Sequence, residues 1–577
     1  MLLSNQLKRN IKKSDIISFD IFDTLLLRSY LSPNDVFAAI SEEYKAPDFY
    51  KIRINAEPAA MQELISENKD DVTFDEIYDY IPSEYKHFKE IEAEFESKHL
   101  FSNTEMLDVL KYALSLNKRI IIASDMYLPY ETLHKTLVRE LGTDKFKLYV
   151  SCEFGKRKHT GNLFKKILDD TQVKPSKILH IGDNYESDYK IPRKLGLRSY
   201  HYKKLIDKFI KNDRIKEFLK NHNDLQGRTF IATLFVMLQK YNKTDYWQNL
   251  AFMYGGPLAY NYTNLIIDSA TEQHLSDIAF VARDGYTLQK TFDILNKNNK
   301  IKSHYVYAPR FTNTLAYLDF GVPEVIEERK SVLLKFLVNN GFAKTTDDIK
   351  QHTETLKSLY VTELTEYKKY LEQKNFGKTI GIVDSISMSF SAQKLISKTL
   401  SDTDCHGFYW WIVDPDKNKN PSATMFYTGQ RSPCFCHLIV FFLAAPTKPI
   451  HRVLNNQAVY KENIDKYEQI KIDLYPTISK SIVDFTQIAQ DMGLSPVLDA
   501  ELMFDWINYF VIYATKQDFK KFKNIKNGVD QSHTKYDTVL KKLYTEKNFL
   551  CFNKKTFVSG LRKIYFLGIC VYKYKKD

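Results

Sequence analysis

The chain has 577 residues, 44% of them apolar and 27% charged, with only 19 Gly and 17 Pro. At about 150 residues per domain this ordinary globular usage implies roughly two to four domains, and it excludes a single small module, a collagen-like polymer and a broadly disordered chain. Lys and Arg (83) outnumber Asp and Glu (71) by +12, but the Lys residues are spread along the whole chain. Solvated faces are therefore expected ahead of a nucleic-acid surface, and the basic balance suits phosphate-bearing substrates or an anionic membrane surface equally well.

In chain order, the start MLLSNQLKRNIKK lacks the apolar centre of a signal peptide. Short β-rich runs then alternate with helical stretches: Ile16 to Phe19, Ile120 to Ala123, Lys147 to Val150, Ile178 to Ile181 and Arg198 to Tyr202. That alternation is the pattern of a parallel sheet with crossover helices. Between the first two runs lies a helical insertion, about residues 32–106, with a capping box from Thr73 to Glu76. The stretch 206–226 is Lys- and Asn-rich and reads as a connector. Helices are expected over Phe230 to Tyr241 and Pro257 to Ala270, then a second α/β unit with strands at Asp277 to Ala282, Tyr305 to Ala308, Thr379 to Val383 and Gly407 to Val413. Its helices include Lys330 to Val338 and Ser387 to Ser397, and amphipathic helices such as Ala500 to Ala514 dominate residues 477–577. The longest apolar run, Leu438 to Ala445, is far shorter than the ~20 residues that span a bilayer. Six cysteines are too sparse for a disulfide scaffold, which implies a reducing, cytoplasmic setting. Cys434-Phe435-Cys436-His437 lacks the paired spacing of a zinc site, and free core thiols are expected.

The chemistry concentrates at the predicted strand tips. The first strand ends in Ser18-Phe19-Asp20-Ile21-Phe22-Asp23-Thr24-Leu25, which delivers a carboxylate where open α/β sheets bind ligands. Ser124 follows Ile-Ile-Ile-Ala, Lys158 lies in the loop Glu153 to Gly161, and Gly182-Asp183-Asn184 is followed by Asp188. A carboxylate attacks phosphorus only when its own charge and that of the phosphate are neutralised, which takes a divalent cation and a fixed ammonium. Asp183 and Asp188 suit Mg²⁺, Lys158 supplies the ammonium, and Ser124 is placed to hydrogen-bond a phosphoryl oxygen.

These motifs resemble the haloacid dehalogenase-like (HAD) superfamily: FDIFDTLL its first motif, Ser124 its second, Lys158 its third and IGDNYESD its fourth, over about residues 14–202. The resemblance implies a Rossmannoid parallel sheet as the core (1–31 and 107–205) with a C1-type helical cap (32–106). It implies Asp20 as nucleophile and metal ligand, with the Phe22 carbonyl, Asp183 and Asp188 completing the Mg²⁺ site. Thr24 and Asp125 are expected near the substrate, Asp125 either capping a helix or contacting the cap, the latter preferred. His159 is read as a loop residue and Cys152 as buried. One departure matters: phosphatase members carry a second Asp, the general acid, where this chain has Phe22, and Asp23 one place on is expected to point elsewhere. A good leaving group, an acid from elsewhere, or a degenerate phosphate-binding scaffold follows.

In the second α/β unit (227–476), Arg283-Asp284-Gly285-Tyr286 and Asp384-Ser385 follow predicted strands, and Arg310 follows another. Arg283, Asp284, Arg310 and Asp384 are candidate substrate ligands, a guanidinium holding phosphate or carboxylate. The plain alternative is an ion pair of Arg283 with Asp284 or Asp384. The layout SFDIFDTLLLR, ASDMYLP, IGDN, FVARDGY also resembles long bacterial HAD-like proteins of surface-polysaccharide clusters. This implies a phosphohydrolase or phosphotransferase acting on a sugar or polyol phosphate or a sugar nucleotide, or a bifunctional assembly enzyme with a C-terminal transferase. Peripheral membrane or polysaccharide-assembly partners would accompany either.

Overall fold

A computed structural model describes residues 4–63, 69–297, 300–317, 353–387, 389–413, 415–416, 419–429, 434–528 and 536–541, and the backbone of strands within 544–575. Two compact units divide the chain, 1–242 and 243–577.

The first unit is built on a five-stranded parallel sheet. Its strands are β1 (Ile16–Phe19), β4 (Arg119–Ser124), β5 (Lys147–Val150), β6 (Ile178–Gly182) and β7 (Arg198–His201), in the order β5-β4-β1-β6-β7. β1 and β6 are buried along their whole lengths, which is why they read as continuous apolar runs. The order reverses at β1, between β4 and β6, and this is the crossover where open α/β sheets bind ligands. Between β1 and β4 the short strands β2 (Leu26–Arg28) and β3 (Leu100–Ser102) pair antiparallel and bring the two ends of the insertion together. Helices Asn34–Glu43, Phe49–Glu63, Phe74–Asp79 and Phe88–Lys98 form the insertion, and the capping box of Thr73 and Glu76 is present. Its apolar centre includes Val36, Phe37, Ile40, Phe49 and Phe88. Next to these, Arg53 forks onto Glu92 at 2.7 and 2.8 Å, both side chains fully buried.

Two short helices, Leu205–Ile210 and Asp213–Asn221, occupy the stretch read as a connector, in keeping with its polar helical character. Helix Leu225–Tyr241 belongs to the first unit, packing on helix Asn34–Glu43 and β2, so the second unit begins at 243 and not at 227. Its residues Ile231, Leu234 and Met237 are fully buried.

The second unit has its own parallel sheet: β8 (Asp277–Val281), β9 (Lys302–Val306), β10 (Thr379–Ser387), β11 (Asp404–Ile412) and β12 (Ala423–Met425), in the order β12-β11-β10-β8-β9. Gly285 starts a helix so close to β8 that a Cβ there would lie 2.7 Å from the Phe280 carbonyl carbon. The apolar run at 438–445 is the buried core helix Phe435–Leu443 with its exit segment. Helices Lys466–Asp491, Ala500–Ile512 and Lys516–Phe522 follow, but from Lys526 the elements are strands, not the expected helices. Four of these, Tyr544–Phe549, Phe552–Phe557, Leu561–Phe566 and Ile569–Lys575, form an antiparallel sheet. The expected helix Lys330 to Val338 lies outside the described residues. Among the described residues no helix is long and apolar enough to cross a membrane.

Candidate active site

A cavity of about 370 Å³ opens at the C-terminal edge of the first sheet, lined by Asp20, Phe22, Asp23, Ser124, Asp125, Arg157, Lys158, His159, Asp183, Asn184, Ser187 and Asp188. Each motif residue arrives on the tip of a strand or the turn after it: Asp20 after β1, Ser124 at the end of β4, Asp183 and Asp188 after β6. Lys158 lies in the loop after β5 and is 3% exposed; its Nζ is 2.5 Å from Asp20 Oδ1 and 2.7 Å from Asp188 Oδ1. Burial pulls an ammonium down, but the Asp188 and Asp20 carboxylates outweigh it and hold Lys158 above the usual range. Burial holds Asp20 well above the usual carboxylate range in spite of Lys158, with Asp188 and Asp183 adding to the rise. Asp188 is held below the usual range, because Lys158 and His180 outweigh its burial.

Oxygen donors from Asp20, Asp183 and Asp188 lie within 4.8 Å of one another, the only such group among the described residues. This hard, all-carboxylate set fits a Mg²⁺-type cation. The set is fixed from behind. His180 Nε2 lies 3.1 Å from Asp188 Oδ1 and its Nδ1 2.9 Å from Ser18 Oγ. Burial keeps this imidazole below its usual pKa, so the neutral ring that donates to the carboxylate accepts from the Ser18 hydroxyl. Asp188 Oδ2 accepts the Asn184 N–H at 3.0 Å. Gly182 has no side chain for a direct reason, since a Cβ there would lie 2.5 Å from the Asp188 carboxylate.

The expected site residues divide. Asp20, Phe22, Ser124, Lys158, Asp183 and Asp188 all line this cavity. Thr24 lies behind the site, donating to Asp183 Oδ1 at 3.2 Å, and so orients a carboxylate. Asp125 lines the cavity, but its carboxylate accepts the backbone N–H of Lys158 (2.6 Å) and His159 (3.2 Å). It therefore shapes the lysine loop. Phe22 packs under the Arg28 guanidinium, 4.1 Å from its ring centre, and brings no proton. Asp23 has a left-handed backbone (φ 55°) and reaches the cavity wall, contrary to expectation, where Lys204 bonds it at 2.7 Å. Lys204 also lies 3.0 Å from Asp183 Oδ2. Neither Lys204 nor His180 was singled out in the sequence; the signal for His180 was only a polar residue inside an otherwise apolar strand. Cys152 is buried, with its thiol pushed up to about 12 by that burial.

In the second unit, Asp284 follows β8 and Asp384 lies on β10, so both sit where that sheet's strand order reverses. Ser385 donates to Asp284. Burial, then the neighbouring Asp284, pushes Asp384 up to about 7. Arg283 pairs with neither aspartate: its guanidinium bonds Glu468 and, at 3.1 Å, the Thr447 carbonyl. Arg310 begins the helix Arg310–Tyr317 after β9. Cys434 is buried at the start of its helix, and His437 Nδ1 lies 3.0 Å from Asn527, so the CFCH run forms no metal site among the described residues.

No family model matches the chain, and no curated protein matches it. Among solved structures the chain is similar to a HAD-family enzyme from Bacteroides thetaiotaomicron, with 18% identity over 33% of this chain and 95% of that one and a TM-score of 0.27. A magnesium complex of the same enzyme gives 19%, 33%, 95% and 0.26. A 2-haloacid dehalogenase from Pseudomonas syringae pv. Tomato DC3000 gives 19%, 33%, 86% and 0.25.

Proposed function

We propose that the first unit is a Mg²⁺-dependent, HAD-type phosphohydrolase or phosphotransferase that works through an aspartyl-phosphate on Asp20. The observation that carries this reading is the buried Lys158 ammonium between Asp20 and Asp188, in a cavity that also holds Ser124 and a three-carboxylate cation site. Asp20, the Phe22 carbonyl, Asp183 and Asp188 would hold the cation, which when bound offsets charge on the carboxylate and the phosphoryl group. Lys158 and Ser124 hold non-reacting phosphoryl oxygens. An Asp20 carboxylate oxygen forms a bond to phosphorus as the bond to the leaving group breaks, and the leaving group departs with the electron pair. Water, or an acceptor hydroxyl, then attacks that phosphorus and restores the carboxylate.

Phe22 cannot protonate a leaving group, and Asp23 is ion-paired with Lys204. Removing a general acid costs about 10²- to 10⁴-fold for a poor leaving group and far less for a stable anion. The favoured substrates are therefore acyl phosphates, phosphoanhydrides or activated sugars or polyols, the last in keeping with the resemblance to surface-polysaccharide proteins. Phosphate release from sugar monophosphates, acyl phosphates and sugar nucleotides, with and without Mg²⁺, tests this in wild type and Asp20→Asn. Turnover that requires Mg²⁺ and Asp20 supports the reading, and turnover unchanged in Asp20→Asn overturns it.

A second reading adds a transferase in the second unit, favoured by Asp284, Asp384 and Ser385 at its own sheet crossover. Absence of sugar-nucleotide binding in a full-length Asp284→Asn, Asp384→Asn variant, against binding in wild type, supports it; equal binding by both counts against it.

A further inference from the structure

Three consecutive basic residues, Arg157, Lys158 and His159, line the cavity. Lys158 is committed to Asp20 and Asp188, and the His159 side chain is exposed. Arg157 is placed differently. Its side chain is 31% exposed, yet its Nε is buried and donates no hydrogen bond among the described residues. Asp71 Oδ1 stands 3.6 Å from that Nε, beyond hydrogen-bond reach, and Asp71 Oδ2 is itself buried without a partner. The Nε is turned to Asp71 as a long ion pair, and no hydrogen bond holds the rest of the guanidinium among the described residues, so its outer N–H groups can meet a ligand oxygen where Arg157 lines the cavity.

The mounting is firm on both sides. Asp71 belongs to the helical insertion, and its neighbour Asp70 accepts hydrogen bonds from Thr160 Oγ1 (2.7 Å) and Asn162 Nδ2 (2.6 Å). The Asp70 N–H donates to the Gly155 carbonyl at 3.0 Å. Segment 70–71 and loop 155–162 are thereby tied together, with Arg157 between them and Lys158 next in line. We propose that Arg157 is a specificity-determining residue that receives a second anionic group of the substrate. Arg157 and Lys158 line the same cavity of about 370 Å³, so both anions belong to one small ligand. The substrate class is then a small phosphoryl compound that carries a carboxylate or second phosphate near the reacting phosphorus. This rests on the phosphoryl-transfer reading of the Asp20 site.

The test is calorimetric binding of non-hydrolysable probes to the full-length protein in excess Mg²⁺: methylphosphonate with one anionic group, phosphonoacetate with an added carboxylate, and methylenediphosphonate with an added phosphonate. Wild type is expected to prefer at least one of the two-anion probes over methylphosphonate by about ten-fold or more, and which one identifies the second group. Arg157→Met should lose most of that preference and Arg157→Lys should keep part of it. Methylphosphonate binding by each variant reports an intact site. No preference in wild type, or a preference that survives Arg157→Met, overturns the inference while leaving the phosphoryl reading standing. Failure of wild type to bind any of the three overturns both.

Discussion

Replacing Lys158 by Met keeps the length of the side chain and removes the ammonium that lies 2.5 and 2.7 Å from two buried carboxylates. Breaking a buried pair by removing one partner costs about 3–5 kcal/mol, because the remaining charge is left uncompensated. The pH dependence has a definite sign. Without the ammonium, Asp20, already raised by burial, rises further, and Asp188 loses what holds it down. A carboxyl raised in the folded state contributes stability in acid and loses it as pH rises through the folded value. A lowered one contributes above its unfolded value and loses that as pH falls. Both changes make the deficit of Lys158→Met largest at neutral pH and smaller towards pH 4, by about 1.4 kcal/mol per pH unit for each proton taken up. All four Trp (Trp247, Trp410, Trp411, Trp506) lie in the second unit, so fluorescence does not report this change. Hydrogen exchange of the β1 and β6 amides, in chelator and corrected for intrinsic rates, does report it. A neutral-pH deficit below about 1 kcal/mol, or one that grows on acidification, refutes the reasoning.

Phe22→Asp restores a protonatable group at the cavity wall and should raise turnover of alkyl phosphates relative to acyl phosphates, by up to about 10²-fold; steady-state rates on both classes read the ratio. Gly182→Ala pushes a Cβ into the Asp188 carboxylate and should weaken Mg²⁺ binding at least about ten-fold in a direct titration, with the sheet otherwise folded. Asp384 is raised to about 7, so its contribution to folding is full in acid and lost as pH rises through that value. Asp384→Asn should therefore stabilise the second unit by about 2–4 kcal/mol near pH 8, by less near pH 5 and hardly at all near pH 3, measured by urea unfolding with Trp fluorescence.

The first sheet was readable because its central strands are buried on both faces and end in chemistry-bearing residues: Ile16 to Phe19 then Asp20, Arg119 to Ala123 then Ser124. The capping box at Thr73 was readable because both partners are local. What escaped depends on distant partners. Lys204 looks like any surface lysine until β7 brings it between Asp23 and Asp183, and Asp125 could not be seen to hold a loop 33 residues away. Arg283 offered two plausible carboxylates nearby in sequence or topology, but Glu468 on a later helix takes it. The C-terminal strands escaped because Lys-rich polar stretches flank each short apolar alternation, which also suits an amphipathic helix.

The most direct test of the central claim is to quench the Mg²⁺-loaded protein in acid during reaction with acetyl phosphate and locate the label by peptide mass spectrometry. The account predicts one added phosphoryl group on the peptide that contains Asp20, absent from Asp20→Asn and lost on return to neutral buffer. Turnover with no adduct at Asp20, or an adduct that persists in Asp20→Asn, would contradict it.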